Sequence, residues 1–165
     1  MGFGGDGVGS RRESRERAMS LLYEAEARGC HPLGAVLEVL VAEAQPFAAE
    51  VVAGVSEHQE EIDDLIVRFA RGWTLVRMPA LDRTLLRMGA YELAYRPDVP
   101  TGAVISEAVE LAKRFSTDDS GRFVNGVLGQ IAAEVRPTPA PGGAPAGAGG
   151  TPAGAGETPA ASLDA

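Results

Sequence analysis

Apolar residues recur every three or four positions throughout residues 10–136, and prolines or glycines interrupt the pattern at short intervals. This spacing places apolar side chains on one face of a helix, whereas a half-buried strand needs alternation at every second residue, which no segment shows. Prolines near helix starts and glycines near helix ends divide the pattern into about seven segments. The sequence therefore predicts an all-α fold, a compact bundle of about seven helices joined by short loops.

Local capping and turn signals place the ends of these helices. The first helix is predicted to begin near Ser10 or Arg11 and to stop at Gly29, and the last begins at the turn-forming residues 118–120. The Asn125–Gly126 pair is typical of hairpin turns, but the apolar spacing continues through it, so we place it inside the last helix. We interpret Gly126 there as a position of close approach. Prolines precede four further helices, and these are Pro32, Pro46, Pro79 and the pair Pro97 and Pro100.

The two ends of the chain differ from the helical region in composition. Residues 1–9 are rich in glycine, and residues 137–165 are mainly Pro, Gly, Ala and Thr. Ordering such segments costs backbone entropy that few apolar contacts are available to offset. We therefore predict three parts: a flexible N-terminus at 1–9, a helical domain at 10–136 and a disordered tail at 137–165.

Cysteine content and hydropathy indicate the compartment. Cys30 is the only cysteine, so no disulfide can form within the chain. No apolar run reaches the roughly 20 residues that cross a bilayer, and residues 1–10 lack the basic and apolar regions of a secretory signal. These features predict a cytoplasmic protein with no membrane partner.

The sequence contains no recognisable catalytic or metal-binding motif. Neither His31 nor His58 has a second ligand at the helical spacing that a zinc site needs, and one cysteine cannot build a thiolate site. No glycine-rich phosphate loop or nucleophile elbow occurs. We assign the adjacent acidic pairs to solvated faces or helix caps, because acid–base catalysis needs carboxylates tuned by burial. The prediction is a protein that is not an enzyme and that uses neither a cofactor nor a metal.

The most informative charged segment is the start of the first helix. The whole chain has a net charge of −8, but the segment RRESRER at 11–17 has four arginines and two glutamates. At about 100° per residue, Arg11, Arg12 and Arg15 project to one side of the helix. Cations in a first turn oppose the helix dipole, whereas guanidinium groups suit RNA phosphates and bases. On these residues alone, RNA binding and an ordinary solvated helix start with pairs such as Glu13–Arg17 both remain open.

Longer segments carry a family resemblance. The strings RRESRERAMSLLYEAE, FAAEVVAGVSEHQEEIDDLI, LDRTLLRMGAYELAYRPDVPTGAVISEAVELAKRF and DDSGRFVNGVLGQI resemble the NusB family in unbroken order over about residues 11–136. The resemblance implies a bundle of two small helical halves that binds the boxA RNA of ribosomal RNA leader transcripts. It also implies a protein partner, the small-subunit ribosomal protein NusE, and a place in an antitermination complex on RNA polymerase.

The resemblance further implies which residues bind RNA. The family's arginine-rich motif falls on Arg11, Arg12 and Arg15, although Glu13 stands where relatives commonly have a basic residue. The family's RNA-binding face also includes the neighbourhood of five further residues, which are Tyr23, Asp82, Arg87, Asp119 and Phe123.

Two other functions are left open by the sequence. Similar helical domains precede the catalytic domains of ribosomal RNA cytosine methyltransferases, so the chain is compatible with an RNA-binding subunit of such a system. The acidic net charge is also compatible with a protein-only interaction module, such as a homodimer that uses an exposed apolar helix face. Binding to leader RNA, methyl transfer and self-association are the properties that separate the three hypotheses.

Overall fold

The computed structural model describes residues 8–40 and 45–138. Residues 1–7 of the predicted flexible N-terminus and residues 139–165 of the predicted disordered tail lie outside the described residues. Within the described ranges the chain forms α-helices and short 3₁₀ turns and has no strand, which confirms the predicted all-α class. The helices are α1 (Val8–Ala27), α2 (Val36–Leu40), α3 (Pro46–Glu57), α4 (Gln59–Phe69), α5 (Ala80–Tyr95), α6 (Thr101–Phe115) and α7 (Asp118–Val135).

The helices pack in two halves that share α5. In one half α1 packs on α3, and in the other α5, α6 and α7 pack on one another. Helix α5 also contacts α1, α3 and α4, so it lies at the centre of the bundle. It is buried around nearly its whole circumference, including the charged residues Asp82, Arg87 and Glu92. Charged groups in such a position need partners from neighbouring helices, because an unpaired buried charge is very costly.

Local signals explain both ends of α1 and the start of α7. Helix α1 begins at Val8, before the predicted Ser10 or Arg11, and Gly29 ends it as predicted by adopting a φ of +67°. At α7 the N-cap is Thr117, whose hydroxyl accepts a hydrogen bond of 3.0 Å from the backbone N–H of Ser120. The capping acceptor therefore lies one residue before the predicted segment 118–120, and Ser120 supplies the donor.

Two glycines allow close helix approach, and neither is the predicted one. A β-carbon at Gly54 would lie 2.1 Å from the Tyr91 ring, and one at Gly89 would lie 2.6 Å from the Leu128 side chain. At Gly126 nothing lies within 4 Å of the corresponding position. The interpretation of Gly126 as a close-approach position is therefore wrong, although α7 continues through Asn125–Gly126 as predicted.

Candidate nucleic-acid interface

Arg12 lies on the side of α1 that faces α6. Its Nε and Nη2 atoms donate hydrogen bonds of 3.0 and 2.8 Å to the two carboxylate oxygens of Glu107. These hydrogen bonds and the adjacent guanidinium charge lower the pKa of Glu107 below its ordinary value. Half of the Arg12 side chain remains exposed, so its outer edge is available to a ligand.

Arg15 is buried beneath this surface. Its Nε and Nη2 atoms donate hydrogen bonds of 2.9 and 2.7 Å to Glu92 of α5, and both side chains are almost inaccessible to solvent. The pair joins α1 to the central helix and satisfies the buried charge of Glu92. The sequence-predicted Arg15 is thus present at the site, but its charged end is already engaged within the protein.

Arg11 lies on the other side of Arg15. Its guanidinium carbon is 5.6 Å from the centre of the Phe47 ring, and that of Arg15 is 5.3 Å from the same centre. Arg11 is exposed and lines an open cleft of about 510 Å³ together with Phe47 and Arg96. The predicted arginine motif therefore forms one basic cluster with an exposed member at each edge and a buried member between them.

The edge of α1 continues from Arg12 toward Tyr23. One turn after Arg12, the Glu16 carboxylate accepts a hydrogen bond of 3.1 Å from Nη1 of Arg114 near the end of α6. Because Arg12 pairs with Glu107 and Glu16 with Arg114, α1 and α6 run in the same direction along this edge. Tyr23 lies seven residues after Glu16, hence on the same side of α1, and is exposed.

Three further predicted residues meet at a second location. Asp82, Asp119 and Phe123 line a cavity of about 250 Å³, together with Trp73, Pro79, Thr117 and Ser120. The exposed Trp73 ring lies against Phe123, with 5.9 Å between the ring centres and 53° between the planes. Asp82 is held at the base of this arrangement, where it accepts a hydrogen bond of 3.0 Å from Ser116. The cavity combines aromatic surface with carboxylate acceptors.

Arg87 belongs to a different arrangement. Its Nε and Nη2 atoms donate hydrogen bonds of 2.7 and 2.9 Å to Asp63 of α4, and Nη1 donates one of 3.0 Å to Glu26 of α1. Arg83 also pairs with Glu26. Arg87 is buried and is not among the residues that line the cavity, so its present contacts hold α1, α4 and α5 together.

Sequence reasoning missed two residues at this surface, Trp73 and Arg114. Trp73 follows a glycine after a helix end, where an aromatic residue is usually assigned to packing. Arg114 lies seven residues after Glu107 on α6, and this spacing places both on one side of the helix. The position of Arg114 beside Arg12 was therefore detectable only after Glu107 had been identified as the partner of Arg12.

Among residues 8–40 and 45–138, no group of three or more histidine, cysteine or acidic side chains is arranged to hold a metal ion. No helix in this part of the chain combines the length and the apolar character needed to cross a membrane. Every buried polar side-chain atom in the described part of the chain has a hydrogen-bond partner.

Comparison with known sequences places these features in one family. A sequence model of the NusB family matches residues 12–133. The transcription antitermination protein NusB of Saccharopolyspora erythraea is 48% identical over 130 residues, which cover 76% of this chain and 88% of that protein. The NusB of Kineococcus radiotolerans is 46% identical over 129 residues, covering 76% of this chain and 94% of the relative.

Solved structures show the same similarity. A structure of NusB from T. maritima has a TM-score of 0.70 and 38% identity, and the match covers 77% of this chain and 93% of that one. A structure of the antitermination factors NusB and NusE in complex with double-stranded RNA contains a chain with a TM-score of 0.66 and 28% identity. That match covers 78% of this chain and 99% of the other.

Proposed function

This chain belongs to the NusB family, and we propose that it is a transcription antitermination factor that binds boxA RNA of ribosomal RNA leaders together with NusE. The observation that carries the proposal is the similarity over residues 12–133, which includes Arg12 and Arg15 of the arginine cluster and the residues that line the cavity at Phe123. The structure of NusB and NusE with double-stranded RNA supports RNA as the class of ligand and NusE as the kind of partner. Bacterial transcripts are made in the cytoplasm, so a factor that acts on them there would be cytoplasmic. It would act as part of an antitermination complex on RNA polymerase.

The two parts of the surface suit different parts of a single-stranded RNA. The exposed edges of Arg11 and Arg12 provide guanidinium donors for phosphate oxygens. Arg15 would not need to contact RNA. Its pair with Glu92 holds α1 against α5, and this fixes the positions of Arg11 and Arg12.

The cavity at Phe123 suits an unstacked base. Aromatic rings stack on bases irrespective of sequence, and the Trp73 and Phe123 rings form one wall. The Asp119 carboxylate is almost fully exposed and is placed to accept hydrogen bonds from amino groups of a base, whereas the buried Asp82 lies at the base of the same cavity and holds Ser116 there. Tyr23 would lie between this cavity and the arginine cluster as a second stacking surface.

Gel-shift titration of the full chain tests this function. We expect a boxA RNA to bind more tightly than the same nucleotides in scrambled order, and addition of NusE to strengthen the complex. Affinity should fall as salt rises, because phosphate contacts release counterions. Equal binding of boxA and scrambled RNA, with and without NusE, would overturn the proposal.

The same preparation separates the two alternative functions. Transfer of labelled methyl groups to ribosomal RNA on addition of a catalytic subunit would favour a role in a methyltransferase system. Absence of any leader RNA binding, combined with a stable dimer in solution, would favour a protein-only module.

A further inference from the structure

We propose that Arg114 and Phe115, at the end of α6, form an additional RNA contact between the arginine cluster of α1 and the cavity at Phe123. This inference rests on the proposed function and extends its binding surface to two residues outside the predicted set. Arg114 would bind a phosphate and Phe115 would stack on a base. The contact would make the two separate parts of the surface continuous.

The position of Arg114 follows from its pairing across two parallel helices. It reaches Glu16, which is one turn beyond Arg12 on the same side of α1. With a helical rise of about 1.5 Å per residue, Arg114 lies roughly 6–10 Å beyond Arg12 along the α1–α6 edge. A second guanidinium therefore follows Arg12 in the direction of Tyr23.

Phe115 extends the surface toward the cavity. The guanidinium carbon of Arg114 is 4.9 Å from the centre of the Phe115 ring, which is itself exposed. The next residue, Ser116, donates its hydroxyl hydrogen bond to Asp82, which lines the cavity beside Phe123. A guanidinium plane and an exposed aromatic ring are both surfaces on which unpaired bases stack.

The present partner of Arg114 does not exclude this role. The Glu16–Arg114 pair is largely exposed, and pairs of this kind contribute little to stability because water screens them. A phosphate can therefore replace Glu16 at small cost. The nearby carboxylate would repel phosphates that are not aligned with Arg114, which would disfavour indiscriminate binding.

The chain contains a closely matched control for Arg114. Arg68 also precedes a phenylalanine, Phe69, and also pairs with a glutamate of another helix, Glu134. The side chain of Arg68 is 55% exposed and that of Arg114 is 58% exposed. Because Arg68 links α4 to the end of α7 and lies outside the α1–α6 edge, its loss removes the same charge and a similar local pair without touching the proposed surface.

The experiment titrates boxA RNA with the full chain and NusE, comparing Arg114→Gln with Arg68→Gln over a salt series. We expect Arg114→Gln to weaken binding by about tenfold or more, since a charge-assisted hydrogen bond to phosphate is lost. The salt slope should also fall by about 0.7, as for one lost phosphate contact on a single strand. Arg68→Gln should leave both the affinity and the slope unchanged.

Phe115→Leu, compared with Phe69→Leu, tests the stacking contact. We expect Phe115→Leu to weaken binding about fivefold or more while the salt slope stays the same, because a stacking surface is lost without a charge. Urea unfolding of all four variants checks that each is folded. If the unsubstituted chain binds boxA RNA but Arg114→Gln behaves like Arg68→Gln, the additional contact is refuted while the proposed function stands. If the unsubstituted chain does not bind, the proposed function and the additional contact both fail.

Discussion

Two ion pairs of the same geometry lie three residues apart on α1 and differ mainly in exposure. In each, an arginine donates through Nε and Nη2 to both oxygens of one glutamate. The side chains of Arg15 and Glu92 are 6% and 3% exposed, whereas those of Arg12 and Glu107 are 51% and 10% exposed. A buried arginine cannot leave its partner without stranding a charge in a low-dielectric interior, but an exposed one can exchange it for another anion.

This difference divides the arginine motif into two roles. Arg15 connects α1 to the central helix and sets the position of its neighbours, while Arg12 presents a guanidinium edge to solvent. A family motif defined by sequence contains both residues without distinguishing them. Substitutions that separate stability from RNA affinity are therefore the informative ones.

The largest expected effect is on stability, from Arg15→Ala. Removing the guanidinium leaves Glu92 buried and unpaired, so we expect the free energy of unfolding to fall by about 3–5 kcal/mol. Urea unfolding monitored by circular dichroism measures the change. Arg12→Ala serves as the control, and its loss of stability should be smaller, because truncating the half-exposed Arg12 side chain opens the Glu107 carboxylate to water. Equal losses for the two variants would remove the distinction between the pairs.

The next largest expected effect is on RNA affinity. The comparison is between Arg12→Gln and a double substitution of the buried pair Arg15 and Glu92. Arg12→Gln should weaken binding to boxA RNA about tenfold, because a charge-assisted contact is lost. The double variant Arg15→Met, Glu92→Met removes both buried charges together and keeps apolar volume, so it should be far more stable than Arg15→Ala. We expect its RNA affinity to stay near that of the unsubstituted chain in filter-binding titrations. An equally large loss of affinity in the folded double variant would show that Arg15 itself contacts RNA.

The sequence predicted the helices well because helical periodicity is a local property. Spacing of three to four residues identified α3, α5 and α7, and it correctly overrode the turn signal at Asn125–Gly126. Close approach was assigned to the wrong glycine because it depends on which side chain arrives from another helix, as Leu128 does at Gly89.

The candidate site was predicted less completely, for a related reason. The exposure of Arg12 and the burial of Arg15 depend on partners 95 and 77 residues away, and no local pattern identifies these partners. Asp82 lies on α5 and other cavity residues lie on α7, so they are neighbours only in the folded protein, where the turn after α6 places α7 beside α5. Resemblance named several residues of this surface, but the contacts that assign a distinct role to each required the structure.

The smallest expected effect is the pH dependence of the exposed pair. Hydrogen bonds from Arg12 and its charge lower the pKa of Glu107 from the ordinary value of 4.5. A carboxylate with a lowered folded-state pKa contributes stability that is complete above the unfolded-state pKa and is lost as pH falls through the folded-state pKa. The stability difference between the unsubstituted chain and Arg12→Gln should therefore be constant above about pH 5 and shrink at lower pH. Carboxyl NMR titration should show the Glu107 pKa rising toward 4.5 in Arg12→Gln. If the Glu107 pKa stayed low in that variant, a neighbour such as Arg15 would be its principal cause, and the two pairs would form one coupled cluster rather than two separable contacts.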